Sequence, residues 1–198
     1  MVHQRKEWCK VFFYTDGSVV FTAAGVVDAN KTLRASGRMC VSAKYNAAGA
    51  IPGYANKAQM QSVTFAADMN TFNYINMNYW FYGLTAITSF TGIANLANVH
   101  EMQYTFSSCS GITSLDFSDF DPSHLTSLYL TFGSCSNLVT IYADSSWALP
   151  SSGLSGSQTF YNCSKLVGGN GTTYASSRTG YAYMRVDTTG TPGYLTAS

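Results

Sequence analysis

Cysteine is the side chain with the most reactive chemistry in this chain, and three of the five cysteines recur at a regular interval. Cys109, Cys135 and Cys163 each follow a phenylalanine by three positions. If these cysteines lie on neighbouring, stacked strands, they are about 5 Å apart, whereas a disulfide requires Cβ atoms about 3.8 Å apart. We therefore predict a column of buried, reduced thiols that act as small apolar fillers. A metal column is the alternative, but further ligands are missing beside these cysteines.

The histidines and the clustered aspartates are of residue types that can bind metal ions. His3, His100 and His124 have no cysteine or second histidine at ligand spacing, so we interpret His100 and His124 as exposed residues at the edges of helices. Asp116, Asp119 and Asp121 form D-x-x-D-x-D, which lacks the EF-hand spacing and its final bidentate glutamate. Turn and helix-cap roles are the expectation for Asp119 and Asp121, with a weak calcium site as the alternative.

The sequence carries no recognisable catalytic signature. No serine lies in a G-x-S-x-G elbow, and no Cys/His pair has a recognisable context. Residues 167–174 are rich in glycine, but they match neither G-x-G-x-x-G nor a P-loop, and no helix signal follows. We therefore predict no catalytic residues, no metal, no cofactor and no enzyme activity.

The three recurring cysteines belong to a longer sequence repeat. Four phenylalanines, spaced 25, 26 and 28 residues apart, each begin a string with apolar or thiol residues three and six positions later. The first three strings continue with an apolar residue at the ninth position, and the last breaks at Gly168-Gly169. A period in the twenties lies within the window for leucine-rich repeats and predicts a solenoid, because one coil cannot bury its own apolar edge. The strings begin at Phe81, Phe106, Phe132 and Phe160.

Within each coil the apolar spacing predicts two kinds of element. Residues 60–65 and 112–117 carry apolar residues at their first, fourth and sixth places, as in a short strand. Spacings of three and four before each phenylalanine, as in Tyr74-Met77-Phe81, indicate a short helical turn. Asp121-Pro122 is typical of a helix start. The predicted fold is an α/β-type repeat solenoid with parallel strands on one face and short helical turns on the other.

The domain boundaries follow from where the repeat pattern begins and ends. Residues 1–57 are predicted to form a β-rich cap, with a hairpin turning at Asp16-Gly17. Residues 58–167 hold about four leucine-rich coils. Residues 168–198 form a C-terminal cap, in which residues 181–186 are expected to be a short strand.

Charge is unevenly distributed along the chain. Residues 1–57 carry eight Lys/Arg and three Asp/Glu, residues 58–164 carry six acids and no Lys or Arg, and residues 165–198 have a net charge of +2. A repeat surface without cations cannot neutralise phosphates, which excludes nucleic acid as its partner.

No apolar run approaches the roughly 18 residues of a membrane span. The first residues show no secretory signal, so the protein stays where it is made, is trimmed, or is exported without a signal peptide.

A binding surface is predicted on the outward side of the strands, because solenoids present such columns as an extended concave face. Small hydroxyls with an occasional tyrosine suit recognition; the alternative is that they only solvate a β surface. The full column also takes in Gln61, Ser62, Thr64 and Val139. The predicted binding residues are Thr88, Ser89, Thr91, Thr113, Ser114, Asp116, Thr140 and Tyr142.

The Thr-Phe-x-x-Cys-Ser-x-Leu/Ile repeats, the segment 115–121 and the ending 166–174 resemble the BspA-like leucine-rich repeat family of bacterial surface proteins. Pro52-Gly53-Tyr54 and the hairpin of residues 14–21 also resemble segments that precede the repeats in that family. The resemblance covers roughly residues 10–198. It implies a curved stack used for adhesion or protein recognition, with no enzyme activity and no cofactor.

Two functional hypotheses follow. The first is a binding or adhesion module that recognises a protein or glycan on a cell surface. The second is a bacteriophage virion protein, such as a head decoration or tail component, in which the basic N-terminal region docks on other virion proteins and the repeats are displayed. The expected location is accordingly the cell surface or the virion.

Overall fold

The structure is a computed structural model that describes residues 5–198. Most of the described chain is turn and irregular structure, and the regular elements are short. The strands are β1 (Trp8–Tyr14), β2 (Ser18–Thr22), β3 (Leu33–Cys40), β4 (Ser62–Phe65), β5 (Ile75–Asn76), β6 (Ser89–Thr91), β7 (Val99–Glu101), β8 (Ser114–Asp116), β9 (Thr140–Ala143) and β10 (Leu195–Ala197). The helices, all of the 3-10 type, are Tyr54–Gln59, Ala67–Thr71, Ile93–Asn95 and Tyr181–Tyr183.

The strands form three separate sheets. The largest has the order β3-β1-β2-β4-β6 and is mixed, since β3, β1 and β2 pair antiparallel whereas β4 and β6 join in parallel. The second has the order β10-β9-β8 and is parallel. The third pairs only β5 with β7, also in parallel.

The predicted hairpin at Asp16-Gly17 is confirmed. The backbone N–H of Gly17 donates to the carbonyl of Tyr14 at 3.0 Å, and the chain then returns as β2. Asp16 accepts hydrogen bonds from the hydroxyl and the backbone N–H of Ser18 at 2.6 and 2.9 Å. These two bonds, together with Lys31, lower the pKa of Asp16 to about 2. The turn is therefore closed by one glycine and one carboxylate.

The four recurring phenylalanines are buried and contact one another in sequence order. The ring centroids of Phe81 and Phe106 are 5.9 Å apart, those of Phe106 and Phe132 are 5.7 Å apart, and those of Phe132 and Phe160 are 5.4 Å apart. The threonines that directly precede the last three phenylalanines are buried too. The hydroxyl of Thr131 donates to the carbonyl of Met102 at 2.7 Å. The Thr-Phe pairs therefore join neighbouring segments through both apolar packing and hydrogen bonds.

The predicted α/β-type repeat solenoid is wrong. The described residues contain no α-helix, and their strands form three small sheets, mixed and parallel, where the prediction had one parallel face opposite a face of helical turns. Two of the expected helical turns are instead β5 and β7. Asp121-Pro122 does not begin a helix, since Asp121 closes a turn by accepting the N–H of Ser123 at 2.9 Å.

The backbone explains why no helix forms before the phenylalanines. A residue with positive φ lies inside each segment where a helical turn was expected, and one left-handed residue prevents consecutive right-handed turns. The apolar spacing of three and four did not reveal this, because side-chain period carries no information on the sign of φ. The residues concerned are Tyr79 (63°), Tyr104 (55°) and Leu130 (50°), with Gln158 (56°) in the same place before Phe160.

The C-terminal segment is held by a buried carboxylate. Asp187 accepts the backbone N–H groups of Asn170, Thr172 and Gly193 at 2.8, 3.0 and 3.1 Å, and also the Thr172 hydroxyl at 2.6 Å. A Cβ at Gly168 would lie 2.2 Å from the carbonyl oxygen of Gly193, so only glycine fits there. The glycine-rich stretch thus serves close backbone packing. The strand expected over residues 181–186 is wrong, because its first half is a 3-10 helix.

Among the described residues, no helix has the length and apolar composition required to cross a bilayer.

Candidate functional site

The outward side chains of two sheets form the candidate site. In the first sheet β4 and β6 run parallel in a register that places Ser62 beside Ser89 and Thr64 beside Thr91. Val63 between them is fully buried, because successive strand residues point to opposite faces. The small hydroxyls therefore form two rows on the solvent side of the sheet.

The second sheet continues this pattern with a carboxylate and an aromatic ring. Its register places Ser114 beside Thr140 and Asp116 beside Tyr142. Tyr142 is 39% exposed, whereas Leu115 is buried below the pair. A carboxylate acceptor next to a half-exposed phenol ring is a combination that can accept hydrogen bonds and also cover an apolar or sugar surface.

A hollow of about 260 Å³ separates the two sheets on this side. Thr91 and Asp116 line it from opposite strands, together with Gly92. Gly92 has φ 83°, and a Cβ there would lie 2.4 Å from the carbonyl oxygen of Phe65. The amide of Asn95 donates to that same carbonyl at 2.9 Å. The loop after β6 is thus packed closely against β4, and its position defines one wall of the hollow.

The carboxylate of the hollow is fixed on one side. Asp116 accepts the N–H of Ser118 at 2.9 Å, which orients its side chain toward the turn after β8. The neighbouring turn is fixed similarly, since the N–H of Asp119 donates to Asp144 at 2.9 Å. Residues 58–164 carry no Lys or Arg. The surroundings of Asp116 are therefore electronegative, which disfavours phosphate and other anions.

The predicted binding residues reach the surface together. Tyr142, Asp116 and five of the six small hydroxyl residues are exposed, and Thr140 is partly exposed. Thr91 and Asp116 share the hollow. Thr88 lies just before β6 and Thr113 just before β8, and each forms hydrogen bonds to residues at the start of the neighbouring strand. We define the polar strand face as the following set: Thr88, Ser89, Thr91, Thr113, Ser114, Asp116, Thr140 and Tyr142.

Four tyrosines that flank the buried phenylalanines form a cluster. The rings of Tyr79 and Tyr104 stack with centroids 4.7 Å apart, and Tyr82 and Tyr129 lie within 6 Å of Tyr104. Burial, followed by the neighbouring Tyr129 hydroxyl, raises the pKa of Tyr104 to about 12. All four are partly buried, so the cluster is packing rather than an open aromatic patch.

The two described histidines lie beside an aromatic ring. His100 stacks on Tyr74 with centroids 4.1 Å apart, and His124 lies 5.5 Å beyond it. The predicted exposure is confirmed for His124, whereas His100 is only partly exposed. The predicted position at a helix edge is wrong, because His100 lies in β7 and His124 lies in a turn. Burial and the proximity of His124 lower the pKa of His100. His3 lies outside the described residues.

No group of three or more His, Cys, Asp or Glu side chains within residues 5–198 is arranged to hold a metal ion. Glu101 lies among amide side chains rather than other acids, and it accepts the amide of Asn76 at 2.8 Å. Lys44 is its cationic neighbour at 3.3 Å.

The predicted burial of the thiol column is confirmed. Cys109, Cys135 and Cys163 are fully buried, and none forms a disulfide. Their Sγ atoms lie 3.1, 3.0 and 2.9 Å from the carbonyl oxygens of Phe81, Phe106 and Phe132, each in the preceding segment. Burial raises the pKa of Cys109 and of Cys163 to about 12. The column is therefore an array of neutral thiol donors between segments.

Comparisons of the chain with protein-family models, with curated proteins and with solved structures find no match.

Proposed function

We propose that the protein is a non-enzymatic binding module that recognises a protein or a glycan through the polar strand face. The observation that supports this most is the pairing of Asp116 with half-exposed Tyr142 next to the hollow at Thr91. The face joins hydroxyl donors and acceptors, one carboxylate and one aromatic ring on strands rather than on loops.

The chemistry of this face suits neutral polar ligands. Serine and threonine hydroxyls both donate and accept, and they have few rotamers to lose on binding. Tyrosine provides a large contact area at a small entropic cost. A glycan or a polar protein loop presents the hydroxyl and amide groups that Asp116 and its neighbours can bond. This ligand class also agrees with the adhesion role that the BspA-like resemblance implies, although the solenoid fold expected from that resemblance was wrong.

The test is an array that carries both oligosaccharides and cell-surface proteins, probed with labelled wild-type protein. The double variant Asp116→Ala/Tyr142→Ala is probed in parallel, with Gln103→Ala as a control outside the face. We expect signals that the double variant loses and the control retains. Signals of equal strength in wild type and double variant would contradict a role for the polar strand face.

The second candidate function is that of a bacteriophage virion protein. The observation that favours it is the surface of the N-terminal hairpin, where Lys10 and Arg38 lie beside exposed Trp8 and Val26. Such a surface suits docking on an acidic protein. The experiment that separates the candidates is a search for this chain in purified phage particles by mass spectrometry.

A further inference from the structure

Among residues 5–198, no strand pairs with the outer edge of the strand that ends the N-terminal sheet. β3 is the first strand in the order β3-β1-β2-β4-β6 and pairs only with β1. The backbone N–H of Val41 donates to the backbone carbonyl of Glu7, on the β1 side, at 2.8 Å. The backbone N–H of Cys40 points the other way and donates to the Tyr45 hydroxyl at 3.1 Å. Because the direction alternates along a strand, the N–H and C=O groups of Ser36 and Arg38 face away from β1.

A groove lies over β1 and β3, next to this open edge. It has a volume of about 430 Å³, within the range of ligand pockets. Its floor is Phe12, and Val26 and Val27 form an apolar wall that is largely exposed. Ser36 stands opposite Phe12 in the register, so the rim toward the open edge of β3 is low. We define the β3 edge groove as Lys10, Phe12, Val26, Val27, Ser36 and Arg38.

The charge of the β3 edge groove is positive. Lys10 and Arg38 are paired across β1 and β3, and Arg38 lies over the Trp8 ring with its guanidinium carbon 4.9 Å from the ring centroid. Lys10 donates to the carbonyl of Gly25 at 3.2 Å. Within residues 5–198 neither cation forms a salt bridge, since the ion pairs there involve other residues. Both cations are therefore available to an acidic partner.

We propose that an extended, acidic segment of a partner protein binds by adding a strand to the outer edge of β3. The backbone of the segment would bond the N–H and C=O groups of Ser36 and Arg38, as in other complexes formed by strand addition. An apolar side chain of the segment would lie beside Ser36, at the rim of the groove. The acidic side chain two positions away, on the side of Arg38, would face both Arg38 and Lys10, because these two cations are paired in the register and alternate residues share one face. This surface is separate from the polar strand face.

The probe is a seven-residue peptide with blocked ends and the sequence Thr-Glu-Thr-Val-Thr-Glu-Thr. A matched peptide has lysines in place of the glutamates. Binding is followed by fluorescence anisotropy at low and at moderate salt. We expect the acidic peptide to bind at least about tenfold more tightly than the lysine peptide, with the difference shrinking as salt screens the charges.

Two variants separate strand addition from mere charge attraction. Ser36→Pro removes an N–H that points away from β1, so the pairing with β1 persists while the added strand loses its bond; Ser36→Ala is its control. Arg38→Glu reverses one charge in the groove, and Lys165→Glu makes the same change elsewhere. Circular dichroism checks that each variant is folded.

We expect Ser36→Pro and Arg38→Glu each to weaken binding of the acidic peptide at least about tenfold, whereas both controls stay within about twofold of wild type. The proposal is overturned if wild type does not prefer the acidic peptide. It is also overturned if folded Ser36→Pro binds as Ser36→Ala does, or if Arg38→Glu binds as Lys165→Glu does. Should Ser36→Pro fail to fold, Arg38→Pro takes its place with Arg38→Ala as its control, since the N–H of Arg38 also points away from β1. Equal binding by these two folded variants would overturn the proposal.

Discussion

At the scale of single residues, carboxylates hold the irregular segments of this protein in place. Asp68 accepts the hydroxyl of Thr22 and the backbone N–H of Ala23 and Ala24, and Asp187 organises the C-terminal segment in the same way. Burial alone would raise the pKa of both groups. The hydrogen bonds outweigh burial, so both pKa values lie below that of an ordinary aspartate.

Asp187→Asn should lower the free energy of unfolding by about 2–3 kcal/mol, since hydrogen bonds to a charged acceptor contribute more than neutral ones. Asp119→Asn is the control, because Asp119 is exposed and its φ of 64° suits asparagine. Urea unfolding at neutral pH measures both. Equal stability of the two variants would contradict the anchoring role of Asp187.

The depressed pKa values also predict how stability depends on pH. A carboxyl whose native pKa is lowered stabilises the fold fully above the unfolded pKa of about 3.9, and this contribution is lost as the pH falls through the native pKa. We therefore expect the melting temperature of the wild type to fall as the pH drops below about 4. The fall should be smaller for Asp187→Asn, which has one such group less. Thermal melts over this range test the expectation, and identical slopes would contradict it.

The buried thiols should react only after unfolding. Cys109 is fully buried and burial raises its pKa to about 12, so at neutral pH it is neither accessible nor ionised. A thiol reagent should label the native protein slowly and the urea-unfolded protein at once. Ser136→Cys, which places a thiol at an exposed position beside Cys135, is the positive control. Rapid labelling of Cys109, Cys135 and Cys163 in native wild type would contradict the burial of the column.

At the scale of elements, the phenylalanine column joins the segments between β4 and the C-terminal turn. Phe132 is fully buried, with Phe106 on one side and Phe160 on the other. Phe132→Ala should cost about 3–5 kcal/mol, the range for emptying a large aromatic site. Tyr161→Ala is the control, because that ring is 44% exposed. Calorimetric melts of both variants test this, and similar melting temperatures would show that the column is not the core.

The sequence predicted some elements well because their signals are local. The hairpin at Asp16-Gly17 depends on a turn of three residues, and the inward positions of Val63 and Leu115 follow from alternation along a strand. The helical turns were predicted wrongly because apolar spacings of three and four also fit a chain with a left-handed residue at Tyr79 or Tyr104. The spacing of apolar residues therefore indicated which residues are buried, but it did not indicate the backbone conformation of the segments that carry them.

At the scale of the whole molecule, two surfaces of opposite character are carried by one chain. The polar strand face lies in a stretch without Lys or Arg, whereas the β3 edge groove belongs to the basic first 57 residues. The charge difference was visible in the sequence. The hollow at Thr91 and Asp116 was not, because it depends on the separation between two sheets that the sequence analysis had treated as one.

The most direct test of the account measures the affinity of wild-type protein for the strongest ligand on the array by interferometry. The double variant Asp116→Ala/Tyr142→Ala and the N-terminal variant Arg38→Glu are measured beside it, at about 50 and 500 mM salt. We predict that the double variant binds at least about tenfold more weakly, that Arg38→Glu binds as wild type does, and that salt has little effect. Unchanged binding by the double variant, with loss of binding by Arg38→Glu and at high salt, would contradict the assignment of the polar strand face.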